Sequence, residues 1–333
     1  MSKHFLQILV GGIILLASAC TGNTESEQNI TRNRPVDQLR EDEKVIWVAT
    51  TGMITDALNN LGKPFSKVYG MMGPGVDPHL YKPTPADLAM LEKSHFFCHN
   101  GLNLEGKFTE ILSLSWGYRR TYAISAGLNI NDIIMADGIE GNYDPHFWFD
   151  LNLWRKSVDS LAIVLSDLYP RLFEEIQANS LAYQAEIENT HKWALRVLGD
   201  IPKENRVLVT AHDAFQYFGR AYDIEVLALQ GISTVAEFGI RDVSNLVDIL
   251  VKRKIPAIFP ETSISDKALK AVVEGCKRNN WEVQLAPTLY GDALGGAGTP
   301  EATLLGAFRH NVIVIYEALS GKTYKESDWV TNS

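Results

Sequence analysis

Two histidines in this sequence stand in the same tripeptide, Asp77-Pro78-His79 and Asp144-Pro145-His146. Proline fixes its own φ and pushes the residue before it toward an extended conformation, so each imidazole is presented from a stiff loop. A third histidine, His212, follows the strand-like run Val207-Leu208-Val209-Thr210. A carboxylate, Asp292, lies in the glycine-rich segment Leu289-Tyr290-Gly291-Asp292-Ala293-Leu294-Gly295-Gly296. All four sit in turn-rich stretches after or beside predicted strands, where open α/β sheets place their ligands. Three imidazoles and a carboxylate make a nitrogen-and-oxygen shell suited to manganese, zinc or iron, with no soft sulfur to favour copper(I). A bidentate Asp292 would raise the coordination number above four. The four stand 67, 66 and 80 residues apart (79 to 146, 146 to 212, 212 to 292), which excludes a finger or a single-helix site. The plainer reading stays open, since a histidine in a turn also serves as an ordinary hydrogen-bonding group. Of the other histidines, His4 is near the N-terminus, His191 falls on a long predicted helix, and His95, His99 and His310 lack the loop setting.

The elements that must position these residues alternate between two periods. A short apolar run over 44–50 fits a buried strand, and the pattern over 53–61 fits a helix. Strand-like patches follow at Phe96-Phe97-Cys98 and Thr121-Tyr122-Ala123-Ile124, then a predicted helix over 154–168. Residues 171–198 contain neither glycine nor proline and read as one long helix, ended by Gly199-Asp200-Ile201-Pro202. A second series repeats the alternation: strands at 206–210, 225–229, 257–260 and 282–286, and helices at 243–254, 265–279 and 299–319. The predicted fold is therefore α/β, with two Rossmann-like lobes built on parallel sheets and joined by one long linker helix. The expected boundaries are 44–170 and 201–322 for the lobes, 171–200 for the linker and 323–333 for a tail. Glu261, just past a predicted strand, is placed to orient an imidazole or supply another oxygen, or equally to be a surface carboxylate.

At 333 residues the chain exceeds what one hydrophobic core usually supports, in keeping with two lobes. A formal charge of −9 with no Lys/Arg cluster excludes a nucleic-acid partner. Lys3 and His4 precede an apolar run over 5–17 that closes in Ala17-Ser18-Ala19-Cys20, a pattern read as a secretory signal over 1–20. Cleavage before Cys20 would free that cysteine for lipidation and make 21–43 a polar tether. Ala17 departs from the larger aliphatic residue usual there, and Ala17-x-Ala19 also suits ordinary signal cleavage. Cys98 and Cys276 form no disulfide framework and read as small buried side chains.

Several motifs together resemble the zinc- and manganese-binding solute receptors of ABC importers. They are Gly73-Pro74-Gly75-Val76-Asp77-Pro78-His79 with Pro83-Thr84-Pro85-Ala86-Asp87-Leu88, then Asn100-Gly101-Leu102-Asn103-Leu104-Glu105, and Asp144-Pro145-His146-Phe147-Trp148-Phe149-Asp150. The likeness continues through Val209-Thr210-Ala211-His212-Asp213-Ala214-Phe215, Gln230-Gly231-Ile232-Ser233-Thr234, Ile258-Phe259-Pro260-Glu261-Thr262 and Asp292-Ala293-Leu294-Gly295. It implies that His79, His146, His212 and Asp292 take the family's four ligand positions and that the linker helix is rigid.

The resemblance further implies a monomeric, membrane-anchored receptor, facing the periplasm or exterior, that holds one Mn2+ or Zn2+ and passes it to an ABC permease and its ATPase. His212 departs from the Glu of one manganese-binding branch. The short stretch Gly138-Ile139-Glu140-Gly141-Asn142-Tyr143 lacks the histidine-rich insertion of many zinc-dedicated members. These two departures pull in opposite directions; Gly231-Ile232-Ser233-Thr234 and Gly291-Asp292-Ala293-Leu294-Gly295-Gly296-Ala297-Gly298 resemble members handling manganese, zinc or both, and the reading leans to manganese. A zinc hydrolase using the same ligands is the competing reading, weakened by the absence of a His-Glu-x-x-His helix and by a fourth ligand where water would sit. A purely structural surface lipoprotein gives no reason for four such residues. Three histidine ligands predict an affinity that falls as pH drops through about 6.5.

Overall fold

The computed structural model describes residues 43–106, 108, 120–136, 141–235 and 238–328. Cys20, the signal segment and all but the last residue of the tether lie outside the described residues.

Strand β1, Val45–Ala49, is the apolar run expected there, with Trp47 wholly buried. Helix α1, Gly52–Gly62, starts at Thr51, whose hydroxyl accepts the Ile54 N–H as an N-cap. Strand β2, Ser66–Gly70, was not legible in the sequence: only a half-buried mixture of polar and apolar residues marks it, and pairing with β1 creates it. Helix α2, Pro85–Lys93, opens with a capping box of Thr84 and Asp87 and with proline in its first turn. Strands β3, Phe96–His99, and β4, Thr121–Ala123, complete a parallel sheet of order β2-β1-β3-β4.

Helix α3 runs Leu151–Leu168, three residues longer at its start than periodicity suggested. Asp150 accepts the N–H groups of Asn152 and Leu153 there, so the last residue of Asp144-Pro145-His146-Phe147-Trp148-Phe149-Asp150 is itself the cap. Helix α4, Phe173–Gly199, is the long helix. At 1.5 Å per residue it spans about 40 Å. Its buried residues Ile176, Ser180, Tyr183, Ile187, Thr190, Ala194 and Val197 recur every three or four positions, one continuous stripe.

After it come β5, Val207–His212, α5, Gln216–Tyr222, and β6, Glu225–Gln230. They are followed by α6, Ile240–Arg253, β7, Ala257–Ile258, α7, Lys267–Arg278, β8, Gln284–Leu285, and α8, Leu304–Ser320. β5 pairs with β6 and β7 with β8, all parallel, and the parallel bridge Thr210–Phe259 joins β5 to the β7 segment. The order β6-β5-β7-β8 thus repeats the arrangement of the first sheet.

Helix α4 packs on α3 and α1 from the first half and on α5 and α8 from the second. One apolar core accordingly runs from Val45 through Trp154 and Ile187 to Leu319, and a smaller core lies under α6 and α7. Among the described residues no helix is long and apolar enough to cross a membrane.

Candidate metal centre

The chain ends of the two parallel sheets meet at one buried point. His79 lies in the loop between β2 and α2, His146 in the loop leading to α3, His212 is the last residue of β5, and Asp292 follows β8. One donor atom from each of the four falls within 4.8 Å of all the others. Asp292 Oδ2 is 3.5 Å from His79 Nε2 and 3.2 Å from His212 Nε2, and its Oδ1 is 3.4 Å from His146 Nε2. The Nε2 atoms of His79 and His146 are 3.3 Å apart. Metal–ligand bonds of roughly 2.1 Å in a tetrahedron separate donors by about 3.4 Å, so these spacings fit a single ion. Both oxygens of Asp292 are buried without a hydrogen-bond partner, as donors turned toward a cation would be.

Each of the three histidines has a carboxylate behind it. Asp77 Oδ1 accepts the His79 main-chain N–H at 2.8 Å, and Asp144 Oδ1 accepts that of His146 at 2.9 Å. In Asp-Pro-His the aspartate thus closes a turn onto the histidine two residues on, a device the shared tripeptide signals but proline alone does not explain. Asp144 Oδ1 also lies 2.7 Å from His146 Nδ1, which keeps the proton on that nitrogen and leaves Nε2 free to coordinate.

Glu261, 3% exposed, is no surface carboxylate. Its Oε1 accepts the His212 N–H at 3.0 Å, and its Oε2 stands 2.8 Å from His212 Nδ1, outside hydrogen-bond geometry but close enough for its charge to act. The neighbouring Gly291 makes room for it: a Cβ there would lie 2.5 Å from Glu261 Oε2.

Burial pushes His79 down to about 3, with His146 and His212 adding to the effect and Asp292 opposing it. Burial also acts against the charged form of His212, yet Glu261 and Asp292 together outweigh it and hold that imidazole well above its ordinary value. Asp292 is depressed below the usual carboxylate range because the three imidazoles, His212 foremost, override its desolvation.

A floor beneath the two first-half ligands escaped sequence reasoning, although its motif was visible. Gly101, Leu102 and Asn103 have φ of 80°, 51° and 61°, one left-handed turn. Glu105, 1% exposed, secures it: Oε1 accepts the Asn100 N–H at 2.6 Å and the Thr50 hydroxyl at 2.7 Å. Asn100 Nδ2 in turn donates to the carbonyl of Pro145 at 3.0 Å, and the His79 carbonyl lies over Gly106. The remaining histidines make ordinary contacts: His95 Nδ1 accepts the Ile46 N–H, His191 sits between Asn152 and Tyr222, and His310 meets the Thr288 carbonyl. His99 is in part-stacked contact with Phe97, and His4 lies outside the described residues. Cys98 and Cys276 are buried free thiols.

The family model ZnuA, zinc-uptake complex component A, periplasmic, matches residues 48–318. The chain belongs to the ZnuA family. Among ZnuA relatives, it is 40% identical over 278 residues to the manganese-binding lipoprotein MntA of Bacillus subtilis, a match covering 84% of this chain and 90% of MntA. It is 39% identical over 279 residues to the zinc-binding protein TroA of Treponema pallidum, covering 84% and 90% of the two chains. The solved structure of periplasmic zinc-binding TroA from Treponema pallidum superposes with a TM-score of 0.79, over 83% of this chain and 99% of that one, at 39% identity. The two-lobed ZnuA-family fold is therefore the fold of this chain. The family comprises transporter receptors rather than enzymes, and the hydrolase alternative falls with it.

Proposed function

We propose that this chain captures one divalent transition-metal ion, Mn2+ or Zn2+, outside the cytoplasm and delivers it to an ABC-type permease and its ATPase, with His79, His146, His212 and Asp292 as the ligands. The observation that carries this is the convergence of four donors, from three loops and the end of strand β5, at spacings of 3.2–3.5 Å. Carboxylates at half-buried Asp77 and buried Asp144 and Glu261 position the histidines and add negative potential that favours a cation. Asp292 turns both oxygens toward the other ligands, which supplies a fifth donor that tetrahedral zinc does not need and favours manganese.

The lobes divide at 44–170 and 201–322 about the linker 171–200. Lipidation of Cys20 after signal cleavage anchors a monomeric receptor to the membrane, with the polar segment 21–43 as its tether. Because α4 is one helix gripped by both lobes, closure on the ion is modest.

Thermal stability of the metal-stripped protein, titrated separately with Mn2+ and Zn2+, tests the assignment. At a thousand times Kd, binding adds about 4 kcal/mol, a rise in Tm of several degrees. The rise should disappear in His146→Ala; an equal rise in the variant would remove His146 from the site.

A further inference from the structure

Among the described residues, two contacts between the lobes beside the metal centre differ in kind. Behind His146 the contact is buried. Tyr217 of α5 donates its hydroxyl hydrogen to the Asp144 carbonyl at 2.8 Å and accepts the Ile134 N–H at 3.0 Å, and Phe149 stacks on Phe215 with ring centroids 4.3 Å apart. Asp144, Tyr217, Phe149 and Phe215 are all buried. On the His79 side, among the described residues, a hydrogen bond crosses the rim: the Thr234 hydroxyl donates to Asp77 Oδ2 at 2.6 Å, and both residues are half-buried.

That hydrogen bond reaches a ligand at each end. The other oxygen of Asp77 holds the His79 N–H. Thr234 belongs to the turn after β6, where Gln230 Nε2 donates to its carbonyl at 3.1 Å, and Gln230 is the register partner of His212 on β5. Outside the ion, then, a chain of contacts runs from His79 through Asp77 and Thr234 to the strand beside His212. Thr234 closes the motif Gln230-Gly231-Ile232-Ser233-Thr234.

We propose that the Asp77–Thr234 hydrogen bond is a latch across the rim, that the lobes part there rather than at Tyr217, and that the ion enters and leaves past His79. The proposal rests on the receptor reading above. With an ion bound, His79 is fixed, Asp77 is fixed by it, and the turn carrying Thr234 is held closed. With the latch broken the four ligands are unchanged, but the lobes open more often and the ion escapes faster. Thr234 is a positioning residue in this scheme, since it touches no ligand side chain.

The test uses the full chain in three forms, wild type, Thr234→Val and Thr234→Ser, each loaded with Mn2+ or Zn2+ and chased with excess EDTA. Losing a hydrogen bond to a carboxylate should speed dissociation about tenfold in Thr234→Val. Thr234→Ser should restore the wild-type rate, while the electron paramagnetic resonance spectrum of bound Mn2+ and the melting temperature of the metal-free protein stay the same in all three. Metal loading should also slow amide exchange over residues 231–235 in wild type and not in Thr234→Val. A wild-type dissociation rate in Thr234→Val, or a fast rate that Thr234→Ser does not correct, overturns the latch while leaving the receptor intact. Failure of the wild type itself to bind either ion would overturn the receptor reading, and is told apart because all three proteins would then be silent.

Discussion

His212 and Glu261 carry the main electrostatic consequence of the site. An imidazole can coordinate through Nε2 only after losing the proton there. Burial disfavours the charged ring, but Glu261 and Asp292 prevail and hold His212 well above its ordinary value, so an incoming ion competes there with a proton. Binding should therefore release a proton from His212, and affinity should rise with pH. Burial holds His79 down to about 3, so a proton competes with the ion there only in acid. Calorimetric titrations of Mn2+ in buffers of different ionisation heat measure the proton count. Glu261→Gln removes one of the two carboxylate charges holding that proton, so it should shrink the release and weaken binding roughly 10–100-fold by loosening the ring. An unchanged proton count in the variant would contradict this account.

Among the elements, the left-handed turn over 101–103 does work that no regular helix or strand does. Three successive residues with positive φ include Leu102 and Asn103, for which that region is unfavourable. Glu105 holds them there through the Asn100 N–H and the Thr50 hydroxyl, and Asn100 passes the constraint to Pro145, beside His146. Glu105→Leu leaves two buried donors without an acceptor and should cost about 2–4 kcal/mol in denaturant titration. Metal affinity should fall with it. Glu105→Gln keeps an acceptor oxygen and should restore most of both, which distinguishes this tie from a simple effect of volume.

Across the whole molecule, α4 and the shared core couple the lobes. Asp56 of α1 shows how directly: its Oδ2 accepts the Tyr183 hydroxyl from α4 at 2.9 Å and the Leu304 N–H, at the start of α8, at 3.2 Å. One carboxylate ties the first lobe, the linker and the second lobe together. Asp56→Ala should lower stability by about 1–3 kcal/mol while leaving Mn2+ affinity nearly unchanged, because none of the four ligands depends on it. Calorimetry of the wild type should show one transition with agreeing calorimetric and van't Hoff enthalpies, since the main core crosses both lobes. Two separated transitions would mean that the lobes fold apart.

The sequence by itself determined the alternation of strands and helices and the long helix with its stop, because apolar period and cap residues are local signals; it singled out the four candidate ligands through the repeated Asp-Pro-His tripeptide and through longer motifs that resemble a receptor family. It also contained Asn100-Gly101-Leu102-Asn103-Leu104-Glu105 and Gln230-Gly231-Ile232-Ser233-Thr234, but gave them no task. Only the tertiary structure decided that β2 is a strand, since pairing with β1 and not its own composition makes it one. The same holds for Glu261 against His212, Thr234 against Asp77, and Asp56 against Leu304, contacts across 49, 157 and 248 residues. A hydrogen bond depends on distance and direction in space, and at such separations nothing in the local sequence encodes either.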